Sequence, residues 1–233
     1  MNRVFLTGDT HGDFTLRKLS SGVFSLGKAL TKQDYVIILG DFGVIWKLQE
    51  DRQEIYLKKW LNEKPFTTLF IDGNHENHNR LKKLKEKTLF GGKVGVVSDS
   101  IFHLKRGEIY TIGSKKFLTI GGALSYDKNN RIEGLSWWPE EVLSYDEQEN
   151  TLHNLEKHNN TVDYILAHTL PESKVLQFNL IGSGYSDLCS VRKFLDHVIE
   201  ITKFEKFFCG HWHRDKTFDN YHLLFHNIIE IDT

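Results

Sequence analysis

The stretch Gly210-His211-Trp212-His213, which follows the apolar run Phe207-Phe208-Cys209, is the strongest indication of the fold and chemistry of this chain. Two histidines that flank one residue at the end of a strand can direct two imidazoles toward a common point, and imidazole is a frequent ligand of transition metals. Two ligands do not complete the coordination of a metal ion. The stretch therefore predicts a metal site at a strand end, completed by residues from elsewhere in the chain.

Four other places share this construction, in which a short apolar run ends in small or metal-binding residues. They are Val4-Phe5-Leu6-Thr7-Gly8-Asp9-Thr10-His11, Val36-Ile37-Ile38-Leu39-Gly40-Asp41, Leu69-Phe70-Ile71-Asp72-Gly73-Asn74-His75 and Tyr164-Ile165-Leu166-Ala167-His168. Their apolar content is that of strands covered on both faces. We therefore expect these strand ends to converge on one rim, together with the two histidines of the opening stretch.

Length and composition limit the class of protein. The 233 residues are enough for one large domain or two small ones, and we expect a single domain over residues 1–233. The formal net charge of −1 provides no global field toward nucleic acid or an anionic membrane, so we expect no strong binding of long duplexes. Two cysteines are too few for a disulfide framework. With no leader and no apolar run of membrane length, the sequence predicts a cytoplasmic protein without a membrane partner, and it carries no signal for an oligomeric state.

Apolar periodicity predicts the elements between these strands. Helical spacing predicts one broken helix over 14–30 and further helices over 50–61, 143–158 and 187–201, while the charged run 80–87 indicates the exposed side of a helix. Short β-like pieces at 94–97, 101–104, 108–112 and 117–120 indicate a second sheet stacked on the first, and the tail 216–231 carries two or three short strands.

Residues 123–141 are too irregular for an ordinary helix and contain the adjacent Trp137 and Trp138. Adjacent tryptophans can anchor a long loop against the core, which is the commoner role of aromatic side chains. The alternative is a lid in which Arg131 clamps a phosphate and a tryptophan stacks on a base or sugar. Arg80 is also near enough in sequence to a predicted ligand to reach a phosphate.

Five motifs carry a resemblance to a known family. They are Gly8-Asp9-Thr10-His11-Gly12, Gly40-Asp41, Gly73-Asn74-His75-Glu76, Ala167-His168 and Gly210-His211-Trp212-His213. In this order, each after a strand, they resemble the calcineurin-like metallophosphoesterase superfamily over nearly the whole chain. The resemblance implies an α/β fold, a four-layer α/β/β/α sandwich of two stacked mixed sheets, with a binuclear metal centre.

The resemblance also implies a ligand set at the matching positions. One metal ion would be held by Asp9, His11, Asp41 and His213, and the other by Asp41, Asn74, His168 and His211, with Asp41 as the bridge. Mixed nitrogen and oxygen ligation suits Mn²⁺, Fe, Zn²⁺ or Ni²⁺ without deciding among them, and we take Mn²⁺ as the working choice.

Two divalent cations define the chemistry expected of this centre. They bring about +4, of which the carboxylates of Asp9 and Asp41 cancel about 2, so the centre attracts a phosphoester anion. A water shared by the two ions becomes a hydroxide poised for in-line attack on phosphorus, while a protonated His75 stabilises the transition state or protonates the leaving oxygen. We therefore assign catalysis to Asp41 and His75, and substrate contacts to Asn74, His75, Arg80 and Arg131.

The substrate is less closely defined. Two motifs are similar to the serine/threonine phosphoprotein phosphatases, but Phe42-Gly43-Val44 follows Asp41 where that branch has Asp-Arg-Gly, whose arginine helps grip the phosphate. We therefore favour hydrolysis of a phosphodiester or small organophosphate, such as a nucleotide or a nucleic acid end. Protein phosphatase activity is the first alternative. A non-catalytic binding scaffold is the second, and the presence of a residue in every ligand position argues against it.

Overall fold

The apolar runs that precede the motifs form central strands of two sheets. The structure is a computed structural model that describes residues 2–180 and 189–233. Its strands are β1 (Val4–Thr7), β2 (Tyr35–Leu39), β3 (Thr67–Ile71), β4 (Lys85–Leu89), β5 (Gly92–Ser98), β6 (Ile101–Leu104), β7 (Ile109–Ile112), β8 (Lys115–Ile120), β9 (Tyr164–Ala167), β10 (Lys206–Cys209), β11 (Lys216–Phe218), β12 (Tyr221–Leu223) and β13 (Ile228–Ile231). Its α-helices are α1 (Arg52–Asn62), α2 (His78–Leu81), α3 (Tyr145–Lys157), α4 (Glu172–Val175) and α5 (Ser190–Ile201).

The pairing of the strands explains why the motifs meet. In the described residues, the first sheet has the order β13-β1-β2-β3-β6-β5-β4 and the second has the order β11-β12-β10-β9-β8-β7. Strands β1, β2 and β3 run parallel to one another, and so do β9 and β10 in the second sheet. Parallel strands bring their carboxyl ends to the same edge of a sheet, which is where each motif begins.

Alternating side chains divide the core into three apolar layers. On β2, Ile37 points between the two sheets, where it belongs to the same cluster as Phe208 of β10. Its neighbour Ile38 points outward and joins Leu61 of α1. On the far side, Ile165 of β9 packs in a cluster with residues of α3 and α5. Because successive side chains on a strand face opposite sides, the central strands of both sheets are buried on both faces. These layers confirm the α/β/β/α sandwich of two stacked mixed sheets.

Several local predictions need correction. The strands at 94–97 and 101–104 belong to the first sheet, not the second, because β6 pairs with β3. The charged run at 80–87 does not continue as a helix, because its second half forms the edge strand β4, which pairs with β5. Phe90 and Gly91 both have positive φ (56° and 86°) and form the hairpin turn between these two strands.

Two predicted helices also differ in extent. The broken helix over 14–30 consists of two 3₁₀ segments, Leu16–Leu19 and Ser25–Ala29. The helix expected over 187–201 begins at Ser190 in the described chain, and Asp187 and Leu188 lie outside the described residues. Across residues 2–180 and 189–233, no helix has the length and apolar character needed to cross a membrane.

Candidate metal centre

The ends of β1, β2 and β10 bring together the first predicted ligand group. Asp9, His11, Asp41 and His213 each offer one ligand atom, and these atoms lie within 4.8 Å of one another. The Nε2 atoms of His11 and His213 are 2.9 Å apart, and His213 Nε2 lies 3.0 Å from Asp9 Oδ2. This group has the composition implied for one metal ion.

The second predicted group lies on the other side of Asp41. His168 Nε2 is 3.4 Å from Asp41 Oδ1 and 3.1 Å from Asn74 Oδ1. The His211 ring packs edge-on against His168, with ring centroids 5.0 Å apart. The other oxygen of Asp41, Oδ2, is 3.9 Å from His11 Nε2 in the first group. The Asp41 carboxylate therefore faces both groups, as a bridging ligand would.

Three observations show that these residues fit divalent cations. The buried Asp9 Oδ2 has no hydrogen-bond partner of acceptable geometry among the residues that the structure describes. His168 Nδ1 donates to the Leu39 carbonyl (2.8 Å), which leaves the lone pair of Nε2 directed at the centre. Asn74 Nδ2 donates to Ser125 Oγ (2.9 Å), so its carbonyl oxygen faces His168. Carboxylate oxygen, amide oxygen and imidazole nitrogen are the donors that such ions take.

The electrostatics of the centre also fit divalent cations. Burial alone would raise the pKa of both carboxyls, but His213 holds the pKa of Asp9 below its usual value, and His168 holds that of Asp41 well below. Burial alone would lower the pKa of His168, but the Asp41 carboxylate raises it to about 10. Protons on histidines thus neutralise the buried carboxylates, and metal ions would displace those protons on binding.

The backbone at the ligands is held in a sparsely populated conformation. Positive φ occurs at His11 (42°), Asp41 (46°), His211 (68°) and His213 (48°). Residues in this region cost about 1–3 kcal/mol each and cluster at functional sites, where the surrounding fold enforces them. Gly73 permits close packing here, since a Cβ at that position would lie 2.1 Å from Asp41 Oδ1. Gly73 is therefore required by the close approach of the Asp41 carboxylate.

Glu76 organises the centre in a way that the sequence analysis missed. Its Oε1 accepts hydrogen bonds from the backbone N–H of Phe42 (2.5 Å) and Gly43 (3.4 Å), and its Oε2 accepts one from Gly73 (2.6 Å). Burial, reinforced by the nearby Asp41 and Asp72 carboxylates, raises the pKa of Glu76 to about 8. Its place in Gly-Asn-His-Glu was the available signal. The carboxylate ties the turn after β2 to the turn after β3.

We expect Glu76→Gln to destabilise the metal-free protein by about 1–3 kcal/mol, because the amide nitrogen cannot accept a hydrogen bond and leaves a buried N–H unpaired. Urea unfolding at pH 5, well below the raised pKa of about 8, compares two uncharged side chains, because at higher pH the cost of ionising the buried Glu76 carboxyl would itself destabilise the unchanged protein. Glu63→Gln, at a side chain that is 64% exposed, is the matched control. Equal unfolding free energies for the two variants would contradict this role.

The irregular region 123–141 reaches the centre through Arg131. Its Nη1 lies 2.9 Å from His75 Nδ1, and Asp127 holds the guanidinium with hydrogen bonds of 2.9 and 2.8 Å. Because a guanidinium can only donate, His75 Nδ1 accepts here. Burial lowers the pKa of His75, and Arg131 adds to the effect against the opposing Asp41 carboxylate. His75 is therefore neutral in this arrangement, and its role as a protonated group during catalysis stays a prediction.

The remaining predicted substrate residues are engaged in other contacts. Arg80 donates to both carboxylate oxygens of Glu54 at 2.7 Å, so a contact between Arg80 and substrate stays a prediction. Trp138 is buried, and its ring lies edge-on to Trp46 with centroids 5.8 Å apart. The packing role predicted for the tryptophan pair thus fits Trp138. That the region acts as a lid stays a prediction.

Two stacked sheets whose parallel strands end at a cluster of buried carboxylates and histidines define a metallophosphoesterase. The model of one family, calcineurin-like phosphoesterase, matches residues 2–215. The match covers most of the chain, which therefore belongs to the calcineurin-like phosphoesterase family. A search of curated proteins finds no relative that matches this chain.

Proposed function

We propose that this chain is a binuclear metal-dependent phosphoesterase that hydrolyses a phosphodiester or small organophosphate. The observation that carries the proposal is the Asp41 carboxylate, with Oδ1 facing His168 and Oδ2 facing His11. When bound, two divalent cations acidify a water and neutralise charge on the phosphoester. Mn²⁺ is the ion we would test first.

The ligand roles follow the two groups of side chains. One ion would be held by Asp9, His11, Asp41 and His213, and the other by Asp41, Asn74, His168 and His211. The Leu39 carbonyl and the Ser125 hydroxyl orient the donor atoms of His168 and Asn74. Such outer partners commonly contribute about 10–100-fold in metal affinity or activity.

Preference for a diester is supported by the residues that follow Asp41. Phe42 is fully buried and stacks on Phe70 with centroids 4.4 Å apart, so this turn directs an aromatic ring into the core instead of a cation toward the substrate. Arg131 is then the guanidinium held beside the centre. A diester carries one negative charge fewer than a monoester dianion and needs less cationic help. The bond that joins the last two nucleotides at a nucleic acid end is a diester of this kind, and so is the phosphate of a cyclic nucleotide.

Metal analysis and two chromogenic substrates test the proposal. The purified protein is expected to bind two metal ions per chain and, with Mn²⁺, to cleave bis-p-nitrophenyl phosphate faster than p-nitrophenyl phosphate. Faster cleavage of the monoester would favour the protein phosphatase alternative. A protein that binds no metal and cleaves neither substrate would favour the second alternative, a non-catalytic binding scaffold.

We expect Arg131→Ala to raise KM for a phosphodiester about tenfold, because a charge-assisted hydrogen bond contributes about 1.5–3 kcal/mol. Steady-state kinetics with bis-p-nitrophenyl phosphate measures the change. Lys128→Ala removes an exposed cation from the same region and is the matched control. An unchanged KM in Arg131→Ala would assign the loop to packing alone.

A further inference from the structure

A cavity of about 290 Å³ opens beside the metal centre, and His11 is the one proposed metal ligand among its lining residues. His11 and His75 form the wall that it shares with the centre, and the turns after β1 and β2 and the start of α1 form the rest. A group attached to a phosphate at the centre would extend past these two histidines into it. Its volume is at the lower end of small-molecule sites, which span about 300–1,000 Å³.

One side of the cavity is apolar and carries an aromatic ring. Val44 and Leu57 are buried there, and Trp46 is half-buried. The Trp46 ring is fixed from two directions, with centroids 5.4 Å from the His75 ring and 5.8 Å from the Trp138 ring. A held indole that still reaches a cavity is a surface on which a planar ring can stack.

The charges that line the cavity disfavour a second phosphate. Asp13, Asp51 and Glu54 contribute carboxylates, whereas Lys47 is the one cation among the lining residues, and it is paired with Asp51. Glu54 is held by Arg80 and Lys58. Carboxylate oxygens accept hydrogen bonds from hydroxyl groups but repel anions. The cavity therefore suits an uncharged group that combines an aromatic ring with hydroxyls.

We propose that this cavity binds the nucleoside of a nucleotide diester, with the base against Trp46 and sugar hydroxyls donating to the carboxylates of Asp13 and Asp51. The inference rests on the proposed function, because the metal centre would hold the phosphate. Stacking on an aromatic ring tolerates any base, so the site selects nucleosides over alkyl groups without strong sequence preference. Its volume accommodates one nucleoside.

Two p-nitrophenyl diesters test the assignment, since they differ only in the second group on phosphorus. Thymidine 5′-(p-nitrophenyl phosphate) carries a nucleoside, and methyl p-nitrophenyl phosphate carries a methyl group. We expect the Mn²⁺-loaded protein to favour the thymidine ester in kcat/KM by about tenfold or more, and Trp46→Ala to lower this ratio about tenfold, in line with the known strength of base stacking. Trp46→Phe keeps a ring and retains most of the preference. The ratio cancels differences in folding or metal loading between variants.

The outcomes separate this inference from the proposed function. Tyr56→Ala, at an exposed side chain of α1 outside the cavity, is the control and is expected to keep the ratio of the unchanged protein. Cleavage of both esters with equal kcat/KM would overturn the nucleoside site and leave the phosphoesterase intact. A ratio that Trp46→Ala leaves unchanged would also overturn the nucleoside site, because the base would then gain nothing from the indole. Cleavage of neither ester would remove the proposed function and the inference together.

Discussion

Asp41→Asn is expected to abolish binding of two metal ions per chain and to lower kcat about 10³-fold, both effects from one substitution. The carboxylate faces both ligand groups, through Oδ1 at 3.4 Å from His168 Nε2 and Oδ2 at 3.9 Å from His11 Nε2. An amide has one oxygen and no charge, so it cannot bridge two cations. Each tenfold loss in kcat corresponds to about 1.4 kcal/mol of transition-state stabilisation, so a 10³-fold loss corresponds to several kcal/mol.

The substitution is chosen so that the fold survives it. Asp41 has a φ of 46°, a conformation that asparagine adopts more readily than most residues. The amide oxygen can still accept the backbone N–H of His75, which donates to Asp41 Oδ1 at 2.8 Å. Metal content by mass spectrometry and kcat for bis-p-nitrophenyl phosphate are measured on the same preparation.

Asp34→Asn is the matched control at the opposite end of β2. Asp34 is also a buried carboxylate and accepts hydrogen bonds from the backbone N–H of Arg3 and Thr31, away from the centre. Its replacement should lower stability and leave two ions bound. A fully metal-loaded, active Asp41→Asn protein would remove Asp41 from the bridging position.

The position of the centre was predictable because each ligand motif directly follows a strongly apolar run. Val36-Ile37-Ile38-Leu39 is buried on both faces, and so are the runs of β1, β3, β9 and β10. Such strands occupy the middle of a parallel sheet, and this arrangement brings the motifs to one rim. The convergence of Asp9, His11, Asp41 and His213 follows from this one property of the sequence.

The sequence did not allow us to predict in the same way which of the two sheets each short strand joins. The strands β5 to β8 are short, close in sequence and alike in composition, yet β6 pairs with β3 and β8 pairs with β9. These partners lie far along the chain, and a local pattern does not encode them. The terminal β13 likewise pairs with β1, where Glu230 forms an ion pair with Arg3.

Buried charges also escaped the sequence analysis, because their partners are distant in the chain. Asp72 directly precedes the Gly73-Asn74-His75-Glu76 motif but accepts hydrogen bonds from Arg106 (2.8 Å from Nε) and His103 (3.0 Å). Burial alone would raise the pKa of Asp72, but these two partners hold it far below its usual value. Glu76 binds backbone N–H groups that only folding brings near. A motif identifies such residues without revealing whether they contact a metal ion or hold the surrounding turns.

His75→Gln is expected to lower kcat about 10²-fold or more for a diester with an alkoxide leaving group, because general acid catalysis contributes about 10²–10⁴-fold. The His75 backbone is fixed on Asp41, and its ring lies 5.6 Å from the His11 ring, at the open side of the centre. A glutamine carbonyl can still accept from Arg131 but has no proton to deliver. For His75 itself to deliver one, Arg131 has to leave Nδ1, and a bound phosphoester anion provides the guanidinium with another partner.

The comparison of leaving groups separates proton donation from simple charge stabilisation. p-Nitrophenolate is stable as an anion, so its departure needs little help from an acid, and the loss in His75→Gln should be about tenfold or less for bis-p-nitrophenyl phosphate. Thymidylyl-thymidine, whose leaving group is a sugar alkoxide, should show the full loss. Equal losses on both substrates would mean that His75 acts on the phosphoryl oxygens and not on the departing one. Metal content should stay at two ions in either case, because the His75 ring lies outside both ligand groups and its removal leaves their donor atoms intact.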